Sequence, residues 1–457
     1  MNTRGGEHRD RSFSYRQALV SAMSAYLVAP FFSAWEASDQ RARQRNSRRW
    51  TLRNLLFEGL LMVYDPSPSL QDRFANAREC LVEMFPQERR VGKTYQGFSQ
   101  ALREALGKRP PKDEDPLQAY LRDRHRRLAD RHWERYGWIA FACDGSRVEV
   151  PRTAANEKAF GCAGRDKTGP QLAVTTLYHM GTGLPWAWRI GPGTDAEREH
   201  LREMLAWLPT GALLVADAGF TGYELLGAIV ARGLSFLIRV GSNVRLLTNL
   251  GVEAKVRGDL VWLWPQNKRK QPPLKLRLIR VKNAKGAGPD VYLITNVFDG
   301  ERLPDATAAI LYRMRWGVEV FYRSFKETLE QTKLRSGAPD QAMWELYLGL
   351  TALLLLGLMS VAGRIEQGQD PLALSVARAL GVVRRAMRTN RRWRRRGDLR
   401  ALLSLAIKDR YKRQASKKAR DYPTKKHEQP PGPPKIRPAT PHEIHLANMT
   451  CVMARAC

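Results

Sequence analysis

Residues Trp138–Gly145, WIAFACDG, form a short, nearly continuous apolar run that ends on a carboxylate, Asp144. No polar residue alternates within it, so it suits a strand covered on both faces rather than one facing water. A second run of the same kind, GALLVADAGF at Gly211–Phe220, leads into Asp217. Between them QLAVTTLYH and LPWAWRI flank Met180–Gly183, the pattern of a β-hairpin. DAEREHLREMLAWL follows as a helix, with Thr194 as its expected N-cap and Glu197 and Glu199 as first-turn acids. A helix from Gly222 to Arg232 and the strand LSFLIRV come next. Strand, hairpin, helix, strand, helix, strand predicts an α/β domain with one carboxylate at each of two strand ends.

Between Gly241 and Val297 the segments VRLLTNL, LVWLWP, LKLRLIRV and VYLITNV predict a small, mostly antiparallel β insertion. The chain then enters YRMRWGVEVFYRSFK, Tyr312–Lys326. On one continuous helix Tyr312, Arg315, Glu319 and Lys326 would fall within an arc of about 60°. A phenol, a guanidinium, a carboxylate and an ammonium make a poor core face. They suit holding a metal ion beside a nucleic-acid phosphate. Trp316, Val318, Val320, Phe321 and Phe325 are expected to bury on the other face.

The whole chain divides by pattern into a helical basic region (1–135), a first core part (136–240), the β insertion (241–300), a last core part (301–380) and a basic, proline-containing C-terminal region (381–457). DPSPS at Asp65–Ser69 breaks the helical region in two, and RHRRLADRHWERYG concentrates positive charge on one helix. That region reads either as a DNA-binding part or as a solvated helical bundle. HEQPPGPPKIRPATPHE is expected to be an extended, weakly ordered tail, and RRWRRRGD a nonspecific phosphate contact or a solvated charge run.

A formal net charge of +31 over 457 residues argues for a polyanionic partner. Five cysteines without CxxC spacing argue against a disulfide framework or a zinc ribbon. The N-terminal residues show no apolar signal-peptide core. Leu346–Gly363, LYLGLTALLLLGLMSVAG, is barely long enough to span a bilayer and reads as a buried helix, so no membrane partner is expected. His179 and His200 lack ligand spacing and receive no role.

Asp144, Asp217 and Glu319 together could gather two Mg²⁺ ions on oxygen ligands and leave positions open for phosphate. Each acid alone is as easily a capping or turn residue. The full pattern is more specific: Tyr312, Arg315, Glu319 and Lys326 match the Y-x2-R-x3-E-x6-K signature of the insertion-sequence-four group of bacterial DDE transposases. CDGSRVEV resembles that group's first-Asp motif and LLVADAGFTGYELL its second. The resemblance runs from about Trp138 to Gly363, and the β insertion falls where the group carries one.

The resemblance implies an RNase H-like mixed sheet with helices, interrupted by a β-rich insertion and preceded by a helical region. It implies Asp144, Asp217 and Glu319 as catalytic ligands of two Mg²⁺ or Mn²⁺ ions. Arg315 and Lys326 would contact phosphates of the bound end, and Tyr312 would help position the terminal phosphate. Trp262 and Trp264 are the insertion tryptophans that would stack a flipped base, or else pack a strand face. Arg323 and Tyr322 would lie beside the stripe, in contact with DNA or with solvent. The implied activity is cleavage and strand transfer at the ends of the chain's own element. The implied partners are double-stranded DNA, both element ends and target, and a second copy of the chain; the implied location is the bacterial cytoplasm, at the nucleoid. Two alternatives share these residues: a noncatalytic DNA-binding relic, and an RNase H-like nuclease without strand transfer.

Overall fold

The computed structural model describes residues 15–38, 50–88, 91–107, 115–162, 169–251, 259–282, 290–388, 399–408 and 432–456. RRWRRRGD lies outside the described residues, while the preceding RRAMR ends a helix, Val376–Arg388.

The apolar runs become the middle of one mixed sheet. Its strands are β1 (Ala140–Glu149), β2 (Gln171–His179), β3 (Leu184–Pro192), β4 (Leu213–Ala216), β5 (Ser235–Val240), β6 (Arg245–Thr248), β7 (Asp259–Leu263), β8 (Leu274–Val281), β9 (Val291–Thr295) and β10 (Lys435–Pro438). They lie side by side in the order β10-β6-β7-β8-β9-β5-β4-β1-β2-β3. Within the first five, β2 runs antiparallel to β1 and β3, while β4 pairs parallel with β1 and β5. The order 3-2-1-4-5 with that single reversal is the RNase H-like arrangement that the resemblance implies. Ala140–Cys143 and Leu213–Ala216 are buried because helices cover both faces, which is why neither run alternates.

The hairpin forms as predicted, with β2 and β3 joined through Met180–Gly183. A side chain at Gly181 would run into the His132 carbonyl oxygen, so the turn packs there only without a Cβ. The four insertion strands also form, but they do not make a separate unit. β9 pairs with β5 through Leu237↔Thr295 and Ile238↔Ile294, so the insertion extends the core sheet edgewise. At its far edge β10 pairs parallel with β6, and helix Pro441–Ala456 follows. Part of the tail expected to be weakly ordered is therefore a strand. Its four residues are all exposed, so no apolar pattern announced it.

The long helix Pro339–Glu366 has its apolar stretch wholly buried, as a core helix. The N-terminal helices wrap it: Tyr64 donates to the Ala352 carbonyl at 2.8 Å, Tyr26 to Leu358 at 2.9 Å, and Trp344 Nε1 to Gly107 at 2.9 Å. Those helices start at side-chain caps, Thr51, Ser69, Thr94 and Asp115, each accepting a first-turn N–H. Helix Leu52–Tyr64 is apolar nearly all round, which fits an element buried on every side.

That helix also carries Glu58, which is fully buried with neither carboxylate oxygen hydrogen-bonded among the described residues. Burial pushes its carboxyl well above the usual range, against the pull of Arg78. The folded chain thus keeps a proton that the unfolded chain releases, so this residue's contribution to stability is lost as pH rises above the ordinary glutamate value. Glu58→Gln is expected to raise stability at pH 8 relative to wild type and to flatten the loss between pH 5 and pH 8. Thermal melts of both chains across that interval check it; parallel pH profiles would contradict it.

Candidate active site

The segment bearing the signature is not one continuous α-helix. Helix Asp305–Met314 meets helix Trp316–Arg323 at Arg315, and a π-helical turn, Ser324–Thr328, ends the run. Tyr312, Arg315 and Glu319 keep a shared face. Lys326 falls inside the π turn, whose wider spacing departs from the uniform α-helical period on which the stripe rests. Lys326 is half-buried, and burial lowers its ammonium pKa while Glu149 of β1 raises it. On the opposite face Val318, Phe321 and Phe325 are buried as expected, but Trp316 is 53% exposed.

Tyr312, Arg315 and Glu319 meet the second aspartate. The Tyr312 hydroxyl donates to Asp217 Oδ1 at 3.1 Å. Arg315 Nη2 donates to Glu319 Oε1 at 3.0 Å and stands 4.0 Å from Asp217 Oδ2. Asp217 follows β4 directly and accepts the Ala218 N–H at 2.8 Å, which turns its carboxylate out of the sheet. Arg315 is 8% exposed, so its charge is held by these acids rather than by water.

Asp144 lies in the middle of β1 instead of at its end. β4 stops pairing at Cys143↔Ala216, so Asp144 is where the β4 side of β1 becomes free. Its carboxylate accepts the Gly145 N–H at 2.9 Å. Burial, above all, raises its pKa to about 6; Gly145 and Arg315 oppose that rise, while Glu319 and Glu197 add to it. Asp217 and Glu319 thus face one guanidinium from two separate parts of the chain, and its charge also reaches Asp144.

Tyr322, placed beside the stripe by sequence, is buried and does not face solvent. Its hydroxyl, with one proton to donate, lies 3.0 Å from the main-chain oxygen of Asp144, 3.1 Å from that of Val174 and 3.0 Å from Thr176 Oγ1. Tyr322 therefore bolts the Glu319 helix to β1 and β2 at the residue that carries the first acid. Arg323 is exposed.

Glu197 is the residue that sequence reasoning passed over. Helix Glu197–Met204 is capped at Ala196 with no side-chain bond, and the exposed Thr194 is not its cap. His200 fixes this helix to β2: its Nδ1 is 3.1 Å from Thr175 Oγ1 and its Nε2 3.3 Å from Asp195 Oδ2. Thr175 is the register partner of Gly145. One turn before His200, the Glu197 carboxyl group fills the space where a side chain at residue 145 would sit. The Asp144-Gly145 pair was visible in sequence, but the reason for its glycine was not.

Trp262 and Trp264 are 8% and 3% exposed. Trp264 Nε1 donates to the Gln271 carbonyl at 2.7 Å, and the Arg269 guanidinium covers its ring at 4.2 Å. Both tryptophans are packing residues in this conformation, the second of the two roles their strand allowed.

The donor set suits a hard divalent cation: three carboxylates, and a half-buried Asp144 whose charge is short of compensation. Among the described residues no three acidic, histidine or cysteine side chains are grouped closely enough to share one ion as they stand. Arg315 lies between two of the three carboxylates, so a cation would replace its contact with Glu319.

Tyr322→Phe is expected to cost roughly 1 kcal/mol of stability, the net worth of a buried hydrogen bond. Chemical denaturation checks this, and a midpoint equal to wild type would remove the bolt.

A family profile described as transposase DDE domain matches residues 139–355, which include all three acids and the signature. The chain is 27% identical over 281 residues to transposase InsG for insertion sequence element IS4 of Escherichia coli (strain K12), covering 58% of this chain and 62% of that protein. It therefore spans under two thirds of that relative's length. Among solved structures, the piggyBac transposase synaptic complex with hairpin DNA is similar at 12% identity and a TM-score of 0.40, over 88% of this chain and 87% of that one. The Mos1 transposase paired-end complex with left transposon end matches 41% of this chain and 58% of that one, at 13% identity and a TM-score of 0.17. Residues 139–355, a little under half of the chain, thus match a DDE transposase domain, and the chain is similar to a transposase of an insertion sequence of the IS4 type.

Proposed function

We propose that the chain cuts and rejoins DNA at the ends of its own insertion element, with Asp144, Asp217 and Glu319 as the catalytic acids. The observation that carries this reading is the meeting of Tyr312, Arg315 and Glu319 with Asp217, beside Asp144, on one side of the sheet. DDE transposases as a family use divalent metal ions. Here two Mg²⁺ or Mn²⁺ ions held by the three acids would supply Lewis-acid stabilisation of the attacking and leaving oxygens.

The chain's own residues supply the rest. Tyr322 and Gly145 fix the strand segment that carries Asp144, so the first acid does not shift as DNA enters. Arg315, released from Glu319, has a planar fork suited to two oxygens of a phosphate. The Tyr312 hydroxyl, now on Asp217, donates a single hydrogen bond and suits the terminal phosphate. Lys326 stands at the other end of the same segment as a point charge for the backbone. Arg323 is exposed beside it and free to add a further contact.

Two element ends must be held together for joining, which calls for a second copy of the chain on the DNA. The substrate places the chain in the bacterial cytoplasm, at the nucleoid.

End-labelled DNA flanking the gene, incubated with Mg²⁺, tests the reading. Wild type is expected to cut at one defined boundary and Asp217→Ala to leave the DNA intact, with cutting reduced at least about a thousandfold for loss of a metal-site ligand. Binding without cutting by wild type would overturn it. Glu319→Gln is expected to abolish cutting while leaving DNA affinity within about threefold of wild type, since it removes an acid and no phosphate contact. Weakened binding with normal cutting would remove Glu319 from the catalytic set.

A further inference from the structure

The far side of the insertion carries a charge arrangement that the catalytic acids do not use. A cavity of about 700 Å³ runs from the loop after Asp217, at Thr221 and Gly222, along β6 and past Trp264 to β10. Arg198, Arg245, Arg269, Lys435 and Arg437 line it. Its near end is tied to the catalytic loop, because Arg198 Nε donates to the Gly219 carbonyl at 2.6 Å, two residues beyond Asp217.

The five cations are unequally compensated. Glu443 accepts from Arg269 at 2.7 Å and from both terminal nitrogens of Arg437 at 2.7 and 2.8 Å. Arg245 and Lys435 are exposed and have no acidic partner among the described residues. They are also direct register partners across the parallel β6–β10 pair. Two like charges on neighbouring strands repel, and the repulsion is relieved when an anion lies across both. A row of cations on an open sheet edge, leading away from a centre that acts on DNA, fits a chain of phosphates more closely than a single small anion.

We propose that this trough carries the sugar-phosphate backbone of a DNA strand leaving the catalytic centre, and that the C-terminal strand β10 completes it with Lys435. The assignment rests on the DNA-processing reading above. It gives the C-terminal region a defined place: β10 adds its cations beside Arg245, and Glu443 holds β10 to the insertion through Arg437 and Arg269. Direct contact by Arg245 and Lys435 adds two released counterions to binding.

The test is equilibrium binding of the full chain to a labelled duplex carrying the element end, measured over a series of salt concentrations. The R245Q/K435Q chain is expected to show a slope of log affinity against log salt that is shallower by about 1.8, from two lost phosphate contacts. The R245K/K435R chain keeps both charges and is expected to keep the wild-type slope, which separates charge from any disturbance of the strand pair. A wild-type slope in R245Q/K435Q, or a loss as large in R245K/K435R, overturns the trough assignment alone. Absence of salt-dependent DNA binding by wild type overturns the DNA-processing reading itself, and the trough with it.

Discussion

One guanidinium organises the centre. Arg315 is nearly enclosed, and its charge is tolerable only because Glu319 and Asp217 face it. Its Nε is buried and makes no hydrogen bond among the described residues, so the carboxylates bear on one end of the fork. A single cation, Arg315, faces Asp217 and Glu319, while Asp144 feels its charge against those of Glu319 and Glu197. The shortage of positive charge adds to the burial that lifts Asp144 to about 6. In the proposed reading, a centre so rich in carboxylate and so poor in counter-charge suits cations, with Tyr312 and Arg315 beside it to meet a phosphate.

The rest of the fold serves to hold those acids still. β1 and β4 deliver the two aspartates from the buried middle of the sheet, where parallel pairing and helices on both faces leave little freedom. The Glu319 helix is anchored from below by Tyr322, and the helix behind it, Pro339–Glu366, is gripped by the N-terminal helices. Those N-terminal helices are thus built into the core through their apolar faces. Part of their positive charge is buried with them, at Arg16, Arg73 and Arg122.

The buried strands and both aspartates were legible because continuous apolar runs have few other places to go. The hairpin and the four insertion strands were legible for the same reason, through turn residues between apolar segments. What escaped the sequence were features set by contact at a distance. Periodicity assumes a uniform α-helix, so it could not foresee the π turn at Lys326, nor that Trp316 stays half in solvent. Glu197 looks like any first-turn acid until His200 ties its helix to Thr175, across the strand pair from Gly145. The insertion joins the core sheet through β5 and β9, and β10 closes the opposite edge, because of pairings between segments far apart in sequence. Local pattern carries no record of either.

The central claim is that three acids far apart in the chain share one cation-binding centre. Iron-directed cleavage of the polypeptide tests it most directly: Fe²⁺ is bound in place of Mg²⁺, and ascorbate with peroxide generates radicals that cut only nearby backbone. The account predicts three groups of fragments, ending near residues 144, 217 and 319, all suppressed together by excess Mg²⁺. Cutting near only one of the three, or cuts elsewhere that Mg²⁺ does not suppress, would contradict it.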